Sequence, residues 1–488
     1  MAGEKERLIG IVGKEHVLEA PEILEAYSRD QGFVRPMKPW FVVKPESAAE
    51  VQKIVKWANE TQTPLVPVSS SPPRFRGDTI PSLPGSVIVD LSGMNRIIRI
   101  DRRNRMIIIE PGVTYRQLQP ALAREDLRLS TPLLPRPAKS VIASLLEREP
   151  TLVPRYNWSM PEPLRCLEVV WGNGEMLRTG EAGQYGSLES QWELGLAQVN
   201  PTGPGQVDYY RLMSAAQGTL GIATWASIKC EVLPKVHRLF FIPSPRLEGL
   251  IDCAYRLLRL RLGDEFLLLN SSNLAAILGG GASQTRALRE ELPPWVIIIG
   301  VAGRAKLPEE RVEYQENDIR DIVQQFGLKL VSAVPGAGER AVLEAVLNPS
   351  PEPYWKLNCK GGCQDIFFLT TLNRTPEFLR TMYSVAVDLR YPTPEIGVYL
   401  QPQHQGTVCH CEFSLPFNRE DSRETARTRE LLSRASEALI EQGAFFSRPY
   451  GIWADMVYRR DAGAAGILKK LKEMFDPNGV LNPGKLCF

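Results

Sequence analysis

A strand–helix–strand pattern that runs into a long irregular loop is the feature that most constrains the fold of this chain. The apolar run at residues 41–45 predicts a short strand, and Ser47-Ala-Ala-Glu50 has the spacing of a capping box, so a helix is expected to begin at Ser47. The apolar face of that helix extends to about Glu60, and Leu65–Val68 predicts a second, buried strand. Residues 69–85 are rich in Ser, Pro, Gly and Arg without apolar periodicity, which predicts a functional loop.

Short β-rich runs continue beyond this loop. Thr114-Tyr-Arg-Gln117 is a second capping-box pattern and predicts a helix to about Arg124. Asn173-Gly174 is the strongest short-range signal for a β-hairpin. The predicted strands, including both arms of that hairpin, are Val87–Asp90, Ile97–Asp101, Met106–Glu110, Leu167–Trp171 and Met176–Thr179.

Helical and strand patterns alternate after about Lys235, which predicts a second α+β domain over roughly residues 241–455. A last helix, Ala462–Met474, leads into the C-terminal segment FDPNGVLNPGK. The predicted helices of the second domain are Leu247–Leu262, Pro308–Phe326 and Phe378–Leu389, and its predicted strands are Trp295–Val301, Asp365–Thr371, Ile396–Gln401 and Thr407–Phe413.

Composition and charge exclude several classes of protein. The 58 Lys and Arg residues nearly balance the 56 Asp and Glu residues, so the net charge of +2 gives no global footprint for nucleic acid or an anionic membrane. The eight cysteines include no CxxC pair and are interpreted as reduced thiols. The N-terminus lacks the apolar core of a signal peptide, and no apolar run approaches the ~20 residues that cross a bilayer. We therefore expect a cytoplasmic protein, or a soluble subunit of a complex, without a membrane span.

Common catalytic motifs are absent from the sequence. No GxGxxG follows the Rossmann pattern, and the glycines at 300–303 lack the Walker spacing. The sequence also has no GxSxG elbow, HExxH pair or EF-hand loop. The usual hydrolase and metalloprotease interpretations therefore have no support.

Several segments, taken in order, resemble a known flavoprotein family. They are FVVKP with its capped helix, PVSSSPPRFRGDT, VIVDLSGMNRIIRIDRRNRMIIIEPGVTYRQL, CLEVVWGNGEMLRTG, QGTLGIATWASIKCEVLP and FDPNGVLNPGK. Together they resemble the flavin-binding half of the vanillyl-alcohol oxidase and p-cresol methylhydroxylase superfamily, which also contains the glycolate and D-lactate dehydrogenases. The resemblance covers roughly residues 40–235 and the last 30 residues.

The resemblance implies that FAD binds between two small α/β subdomains and that a cap domain covers the flavin ring. We therefore expect an α+β fold with a two-subdomain FAD-binding domain and an α+β cap. The expected boundaries are residues 1–40 for an N-terminal segment, 41–240 for the FAD-binding domain, 241–455 for the substrate cap and 456–488 for a C-terminal return to the FAD-binding domain.

The loop after Val68 suits the diphosphate of FAD, because serine hydroxyls, backbone N–H groups and the guanidinium groups of Arg74 and Arg76 all donate to phosphate oxygens. The family usually has a glycine-rich loop here, whereas this chain keeps only Gly77 and has Pro72-Pro73. The loop therefore either holds the phosphates differently or binds FAD weakly, and a solvated turn is the alternative. The resemblance implies further cofactor contacts from the segments IEPGVT, SVIASLL and QGTLGIAT and from the C-terminal segment. Together with the loop, the expected cofactor-binding residues are Ser69, Ser70, Ser71, Arg74, Phe75, Arg76, Gly77, Asp78, Thr79, Pro111, Gly112, Val113, Ser140, Ile142, Gly218, Gly221, Ile222, Asn482 and Lys485.

Covalent attachment of flavin in the family uses His or Cys. No His or Cys occurs between Val17 and Arg165. We therefore expect FAD to bind non-covalently.

Two predicted cap strands carry candidate catalytic side chains. Alternation along Thr407–Phe413 puts His410 and Glu412 on one face, and Tyr399 and Gln401 share a face of the preceding strand. His410 has the position at which lactate-type relatives carry a histidine near the flavin and a metal. Each of these side chains also has a structural interpretation, as a hydrogen-bonded histidine or a core aromatic.

Arg448 is the expected substrate anchor. The segment GAFFSRPYGIWADMVY resembles the phenol-oxidising branch, in which an arginine of a Tyr-Arg pair helps to hold a phenolate. Arg448 matches that arginine, and Ser447 replaces the tyrosine, which leaves an anion-binding role but not phenol specificity. A surface arginine is the alternative. The catalytic candidates are thus His410, Arg448, Tyr399 and Glu412.

A metal site is not expected. His404 precedes His410 by six residues, but Gln405-Gly406 is expected to break the strand between them. The Cys359–Cys363 and Cys409–Cys411 pairs lack the loop spacings of zinc or iron–sulfur motifs.

These features predict an FAD-dependent dehydrogenase that takes a hydride from a hydroxy acid or an aromatic or benzylic alcohol. Arg448 is expected to anchor the substrate and His410 to act as the base. Electrons are expected to pass to an iron–sulfur or other electron-transfer protein, within an oligomer or complex. Two alternatives stay open: a flavin-fold scaffold or electron-relay subunit, and an oxidase that passes electrons to O₂.

Overall fold

The predicted strand–helix–strand unit contributes two of the four strands of the first sheet. The computed structural model describes residues 2–155, 163–184, 186–205 and 208–488. In it the unit consists of Phe41–Val43, Ala48–Thr61 and Leu65–Val68, which confirms the prediction. The Ser47 hydroxyl accepts from the Glu50 N–H and so caps the helix. The Glu50 carboxylate accepts from the Glu46 N–H at 2.8 Å, one residue earlier than the capping-box pattern predicts.

The first sheet combines one antiparallel pair with two parallel pairs. Its strands run in the order Val17–Leu18, Phe41–Val43, Val87–Asp90 and Leu65–Val68. The apolar face of helix Ala48–Thr61 packs on this sheet through Val51, Ile54 and Val55, all fully buried. The helices of the N-terminal segment are Ala2–Val12 and Pro21–Ser28, and Leu8 joins the same core.

The second sheet is antiparallel and contains the predicted hairpin. Its order is Ile97–Asp101, Met106–Ile109, Gly221–Lys229, Leu164–Trp171 and Met176–Arg178. Gly174 has φ +83°, a left-handed conformation that suits glycine in the hairpin turn. Thr114 caps helix Tyr115–Ala123 as predicted. The other helices around this sheet are Val141–Leu146, Leu188–Glu193 and Tyr209–Met213.

The C-terminal segment returns to the first sheet. After helix Ala462–Phe475, the N–H of Leu65 donates to Val480 O at 2.7 Å, and the N–H of Asn482 donates to Leu65 O at 2.8 Å. These bonds tie the chain end to the strand that leads into the loop at residues 69–85.

The cap is a six-stranded antiparallel sheet with helices on both faces. Its order is Val236–Ser244, Trp295–Gly303, Phe266–Asn270, Gly397–Gln403, Val408–Asn418 and Gly361–Thr370. Phe240 and Ile242 belong to one apolar core and Leu239 and Phe241 to another, so alternate side chains of one strand build two separate layers. The helices of this region are Glu248–Arg259, Ser271–Leu278, Ala282–Glu291, Pro308–Gln325, Glu339–Leu347, Thr375–Asp388, Ser422–Glu441 and Ile452–Tyr458.

The α+β fold is as predicted, and the sequence patterns missed several cap elements. The elements without a predicted counterpart are strands Val236–Ser244 and Phe266–Asn270 and helices Ser271–Leu278, Ala282–Glu291, Glu339–Leu347, Ser422–Glu441 and Ile452–Tyr458. Two small antiparallel ribbons complete the structure: Leu127–Arg128 with Glu231–Val232, and Ala333–Val334 with Ala337–Gly338. Within the described ranges, no helix is both long enough and apolar enough to cross a membrane.

Candidate active site

A deep cleft lies where the first two sheets meet the cap. It holds about 1620 Å³ of empty space, counting its open mouth. Loop residues 69–79, the helix at Val141–Leu146 and the start of strand Gly221–Lys229 provide one side, and cap residues provide the other. The expected site residues that line it are Ser69, Ser70, Arg74, Phe75, Arg76, Asp78, Thr79, Pro111, Ile142, Gly218, Gly221, Ile222, Tyr399, Glu412 and Arg448.

The remaining expected cofactor residues do not line the cleft, but several of them contact the loop residues that do. The Ser140 N–H donates to Ser70 Oγ at 3.1 Å, and Ser71 O accepts from Arg136. Lys485 Nζ donates to Gly77 O at 2.8 Å, and the Asn482 amide donates to Asp78 O. Buried Val113 follows Gly112 in the turn after strand Met106–Ile109. These contacts fix the path of the loop from both sides.

Gly112 meets backbone from the turn at residues 91–94. A Cβ at Gly112 would lie 2.6 to 2.7 Å from the carbonyl oxygens of Ser92, Leu91 and Met94. Packing against this turn therefore requires a glycine at this position, whether or not Gly112 also binds the cofactor as the resemblance implies.

Two polar groups on the loop, from Arg74 and Thr79, could still bind a ligand. Arg74 is 5% exposed, donates through Nη2 to Ala26 O and lies over the Tyr27 ring at 4.6 Å. Its Nη1 and the Thr79 hydroxyl are buried and have no hydrogen-bond partner in the described part of the chain. Burial lowers the pKa of Arg74, opposed by Tyr27 and by the nearby carboxylates of Asp30 and Asp90. The residues present therefore fit a diphosphate, even though the loop lacks the family's glycines.

The side chain of Arg76 extends from the loop to the cap side of the cleft. Its guanidinium lies 4.3 Å from the Phe367 ring centroid, and Glu147 and Glu149 lie within 3.7 Å. Burial alone would lower the pKa of Arg76, but Tyr450 and the two carboxylates outweigh it and raise that pKa. Arg76 is thus permanently charged, and it contacts Phe367 of the cap, whereas Arg74 contacts Tyr27 of the N-terminal segment.

Strand pairing brings the cap candidates together. Tyr399 lies directly opposite Glu412, and Gln401 lies opposite His410. On the other side of the same strand, Phe367 pairs with Glu412. Residues directly opposite each other share a face of the sheet, so the predicted alternation is observed and extends across three strands.

His410 uses both ring nitrogens inside the protein. It is 1% exposed, with Nε2 3.2 Å from Glu412 Oε2 and Nδ1 3.4 Å from Arg448 Nη2. A guanidinium only donates, so Nδ1 accepts and Nε2 carries the proton that is donated to Glu412. Burial, assisted by Arg448 and opposed by Glu412, lowers the pKa of His410 to about 4, so the ring is neutral at pH 7. His410 is not among the residues that line the cleft.

Lys356 and Asp365 were missed by sequence reasoning. Lys356 Nζ lies 2.6 Å from Glu412 Oε1 and 2.7 Å from Asp365 Oδ2, and all three residues line the cleft. Burial would raise the pKa of Glu412, but Lys356 and His410 outweigh it and lower that pKa. Burial raises the pKa of Asp365 despite Lys356, with Glu412 adding to the effect. The only available signal was Asp365 at the start of a predicted strand, which did not specify its partners.

Arg448 is buried at the same end of the cleft. It is 4% exposed, donates through Nη1 to Glu147 O at 3.2 Å and lies 4.3 Å from the Phe367 ring centroid. Burial and the nearby Arg76 lower the pKa of Arg448 to about 10. The surface interpretation of Arg448 is therefore wrong.

Three tyrosines line this end of the cleft. Tyr399 donates its hydroxyl proton to Gln401 Oε1 at 2.8 Å, and Gln401 is in turn held by Phe266 O. Tyr354 and Tyr450, which the sequence did not single out, complete the wall. Burial raises the pKa of each phenol, so all three remain protonated.

The cysteines and His404 are arranged differently from a metal site. His404 is exposed in a short turn, with Nδ1 3.1 Å from Thr407 Oγ1. Cys409 and Cys411 are buried in the cap core, and burial raises the pKa of both thiols. Over the residues that the structure describes, no three His, Cys, Asp or Glu side chains converge on a common centre.

Comparison with known proteins finds the same combination of domains elsewhere. Residues 39–180 match the FAD binding domain family. The chain is 23% identical to the flavoprotein subunit of 4-cresol dehydrogenase (hydroxylating) from Pseudomonas putida, over 97% of this chain and 93% of that protein. It is also 23% identical to a D-lactate dehydrogenase from Anaerostipes hadrus, over 98% and 96% of the two chains. The structure of a 4-ethylphenol oxidase from Gulosibacter chungangensis superposes with a TM-score of 0.83 at 20% identity, covering 99% of this chain and 96% of the oxidase.

Proposed function

We propose that this chain, an FAD-dependent oxidoreductase of the vanillyl-alcohol oxidase and p-cresol methylhydroxylase superfamily, acts as a dehydrogenase on a hydroxy acid or an aromatic or benzylic alcohol. The observation that carries this proposal is the clustering of Arg448, Lys356 and the carboxylates of Asp365 and Glu412 on the cap side of the cleft. On the loop side, Arg74 Nη1 and the Thr79 hydroxyl have no hydrogen-bond partner among the described residues and could donate to a phosphate. The relatives named for cresol and lactate oxidation support both substrate classes.

Residues on the loop would hold FAD. Arg74 Nη1 and the Thr79 hydroxyl, which have no partner among the described residues, would donate to the diphosphate, and Gly221 and Ile222 would meet the cofactor through the adjacent strand. FAD, when bound, would supply the two-electron acceptor for a hydride from the substrate carbon. The absence of His and Cys between Val17 and Arg165 supports non-covalent binding.

Two cationic side chains of the cleft would recognise the substrate. Arg448 and Lys356 line the cleft, and the planar guanidinium suits a carboxylate or a phenolate. Arg448 is held in place by Glu147 O and His410, so its orientation exists before substrate binds. The oxygen of the substrate would thereby lie near the carboxylates of Asp365 and Glu412.

Asp365 is a better candidate than His410 for the base that takes the hydroxyl proton. Asp365 lines the cleft and has a raised pKa, which makes its carboxylate more basic than that of Glu412. His410 lacks a free nitrogen and acts as a positioning residue between Arg448 and Glu412. Phenolic substrates, which ionise more easily, depend less on this base.

The reaction is tested by anaerobic mixing of the purified holoprotein with 2-hydroxy acids and with 4-alkylphenols or benzylic alcohols. Bleaching of the flavin absorbance by members of one class identifies the substrate class, and Asp365→Asn should slow bleaching by roughly a hundredfold with a hydroxy acid. Bound FAD that no compound of either class reduces would contradict the proposal and favour the scaffold or relay alternative. Release of the chromophore on acid precipitation would establish non-covalent binding.

The acceptor of the electrons can be tested on the same holoprotein. We propose transfer to an electron-transfer protein partner, since the relative named as a flavoprotein subunit supports assembly with a second component. Slow reoxidation of the reduced flavin in air is expected. Rapid reoxidation with stoichiometric peroxide would instead identify an oxidase.

A further inference from the structure

A second cavity lies in the cap, next to the cleft. It holds about 670 Å³, counting its open mouth, and Trp355 and Lys356 line both spaces and so form the wall between them. We propose that this space, the cap cavity, is a binding site for a small oxyanion, the carboxylate or phosphate group of a small molecule. This goes beyond the proposed oxidation, because the site is separate from the flavin cleft and does not depend on its chemistry.

The N-termini of two helices meet at the cap cavity. Ser272 and Asn273 in the first turn of helix Ser271–Leu278 line it, as do Ala282 and Thr285 of helix Ala282–Glu291. The residue before the second helix is Gly281, which provides no side-chain cap. Helix N-termini carry partial positive charge, which favours an anion, although at the first helix the Asn270 side chain already accepts from the Asn273 N–H.

Buried donors around the cavity have no acceptor. Asn273 and Trp355 are each 2% exposed and Thr285 is 5% exposed. Asn273 Nδ2, Trp355 Nε1 and Thr285 Oγ1 have no hydrogen-bond partner among the described residues. Two of these groups can only donate, so the occupant that satisfies them must supply acceptors. A carboxylate or phosphate does so, whereas a metal cation does not.

Most of the charged side chains that line the cavity are cations, which also favours an anion. Arg286, Arg289 and Lys360 line it, together with a single carboxylate, Glu395. Glu395 is paired with Lys360 at 2.7 Å, and Lys356 in the shared wall is paired with Asp365 and Glu412. The two arginines on helix Ala282–Glu291 therefore leave the cavity with an excess of positive charge.

Isothermal titration of the FAD-loaded protein with sodium phosphate, and separately with sodium succinate, tests the site, with sodium chloride at equal ionic strength as the blank. At least one anion should bind with a Kd in the millimolar range or tighter, and the anion preferred distinguishes a phosphate from a carboxylate ligand. The double variant Arg286→Gln/Arg289→Gln should weaken that binding by roughly tenfold or more.

A charge-matched control separates a site from general electrostatics. The double variant Arg340→Gln/Arg459→Gln also removes two positive charges, from side chains that are 92% and 80% exposed elsewhere in the chain. It should bind the anion like the unaltered protein. Thr285→Val keeps a similar shape and removes a hydroxyl that has no partner in the part of the chain that the structure describes, so it should weaken binding without lowering the melting temperature.

Three results would overturn the proposal. The first is that neither anion binds at concentrations up to about 50 mM, since contacts of this number should give measurable binding on that scale. The second is equal weakening of binding in the two double variants. The third is loss of binding in Arg448→Lys but not in Arg286→Gln/Arg289→Gln, which would place the anion in the flavin cleft. Failure of the flavin to be reduced would leave this test unaffected.

Discussion

Arg448 and His410 hold each other in one orientation, with Nη2 of the arginine 3.4 Å from Nδ1 of the histidine. Since the other ring nitrogen donates to Glu412, the imidazole is a neutral bridge between a cation and an anion. This arrangement explains why a histidine in a candidate active site does not itself line the cleft.

The bridge predicts different outcomes for two His410 variants. His410→Ala leaves Arg448 and Glu412 without their shared partner, and we expect flavin reduction to slow by roughly tenfold or more. His410→Gln offers a carbonyl oxygen to Arg448 and an amide to Glu412, and should retain most of the rate. Stopped-flow flavin reduction measures both. Equal, large losses in the two variants would restore the role of His410 as the base.

Burial of neutral His410 also predicts a pH dependence of stability. The ring titrates near 6.5 when unfolded and at about 4 when folded, so the unfolded chain binds more protons between these values. The free energy of unfolding should therefore fall as pH drops from 6.5 towards 4, by about 3 kcal/mol from this group. Urea titrations of the holoprotein at several pH values should show the fall, and His410→Gln should reduce it. A variant with the same pH profile as the unaltered protein would count against this assignment.

Arg448→Lys is expected to weaken substrate binding by roughly tenfold while FAD stays bound. Lysine keeps the charge but loses the planar fork that reaches both Glu147 O and His410. The substrate concentration dependence of flavin reduction gives the affinity, and Arg459→Lys, at an exposed position, is the matched control. Unchanged affinity would mean that another cation, such as Lys356, anchors the substrate.

Thr79→Val should weaken FAD binding without affecting the fold. The Thr79 hydroxyl is buried, lines the cleft and has no partner within the described residues, so its removal breaks no internal bond. We expect roughly a tenfold rise in the Kd of FAD, the scale of one hydrogen bond to a charged group. Quenching of flavin fluorescence on titration of the apoprotein measures this. An unaltered Kd would place the diphosphate elsewhere.

Gly112→Ala should destabilise the protein by more than about 2 kcal/mol, because the added methyl would press against three backbone carbonyl oxygens that cannot move aside. Gly466→Ala is the control: no atom lies within 4 Å of its added Cβ, and alanine in a helix interior is favourable by up to about 1 kcal/mol. Thermal unfolding compares the two. Equal stability of both variants would contradict the packing role of Gly112.

Much of the local structure could be predicted because its causes lie within a few residues. Ser47 and Thr114 identified helix starts, since a hydroxyl caps an N–H three residues away. By contrast, helix Ser422–Glu441 was missed, because its buried face includes Thr428 and Ser436 and gives a weak apolar pattern. Strand Phe266–Asn270 contains an apolar run of only four residues, Phe266–Leu269, which is too short for periodicity to identify.

The candidate site shows the same division between local and distant causes. By itself the sequence determined that His410 and Glu412 share a face, because side chains alternate along any strand. Only the tertiary structure decided that Lys356, 56 residues away, neutralises Glu412, and that Arg448 meets Glu147 across 301 residues. It also decided that Arg76 stacks on Phe367 instead of following Arg74. Backbone geometry sets the direction of a side chain within its own element, whereas packing of the whole chain sets which charge it meets and therefore its pKa and chemistry.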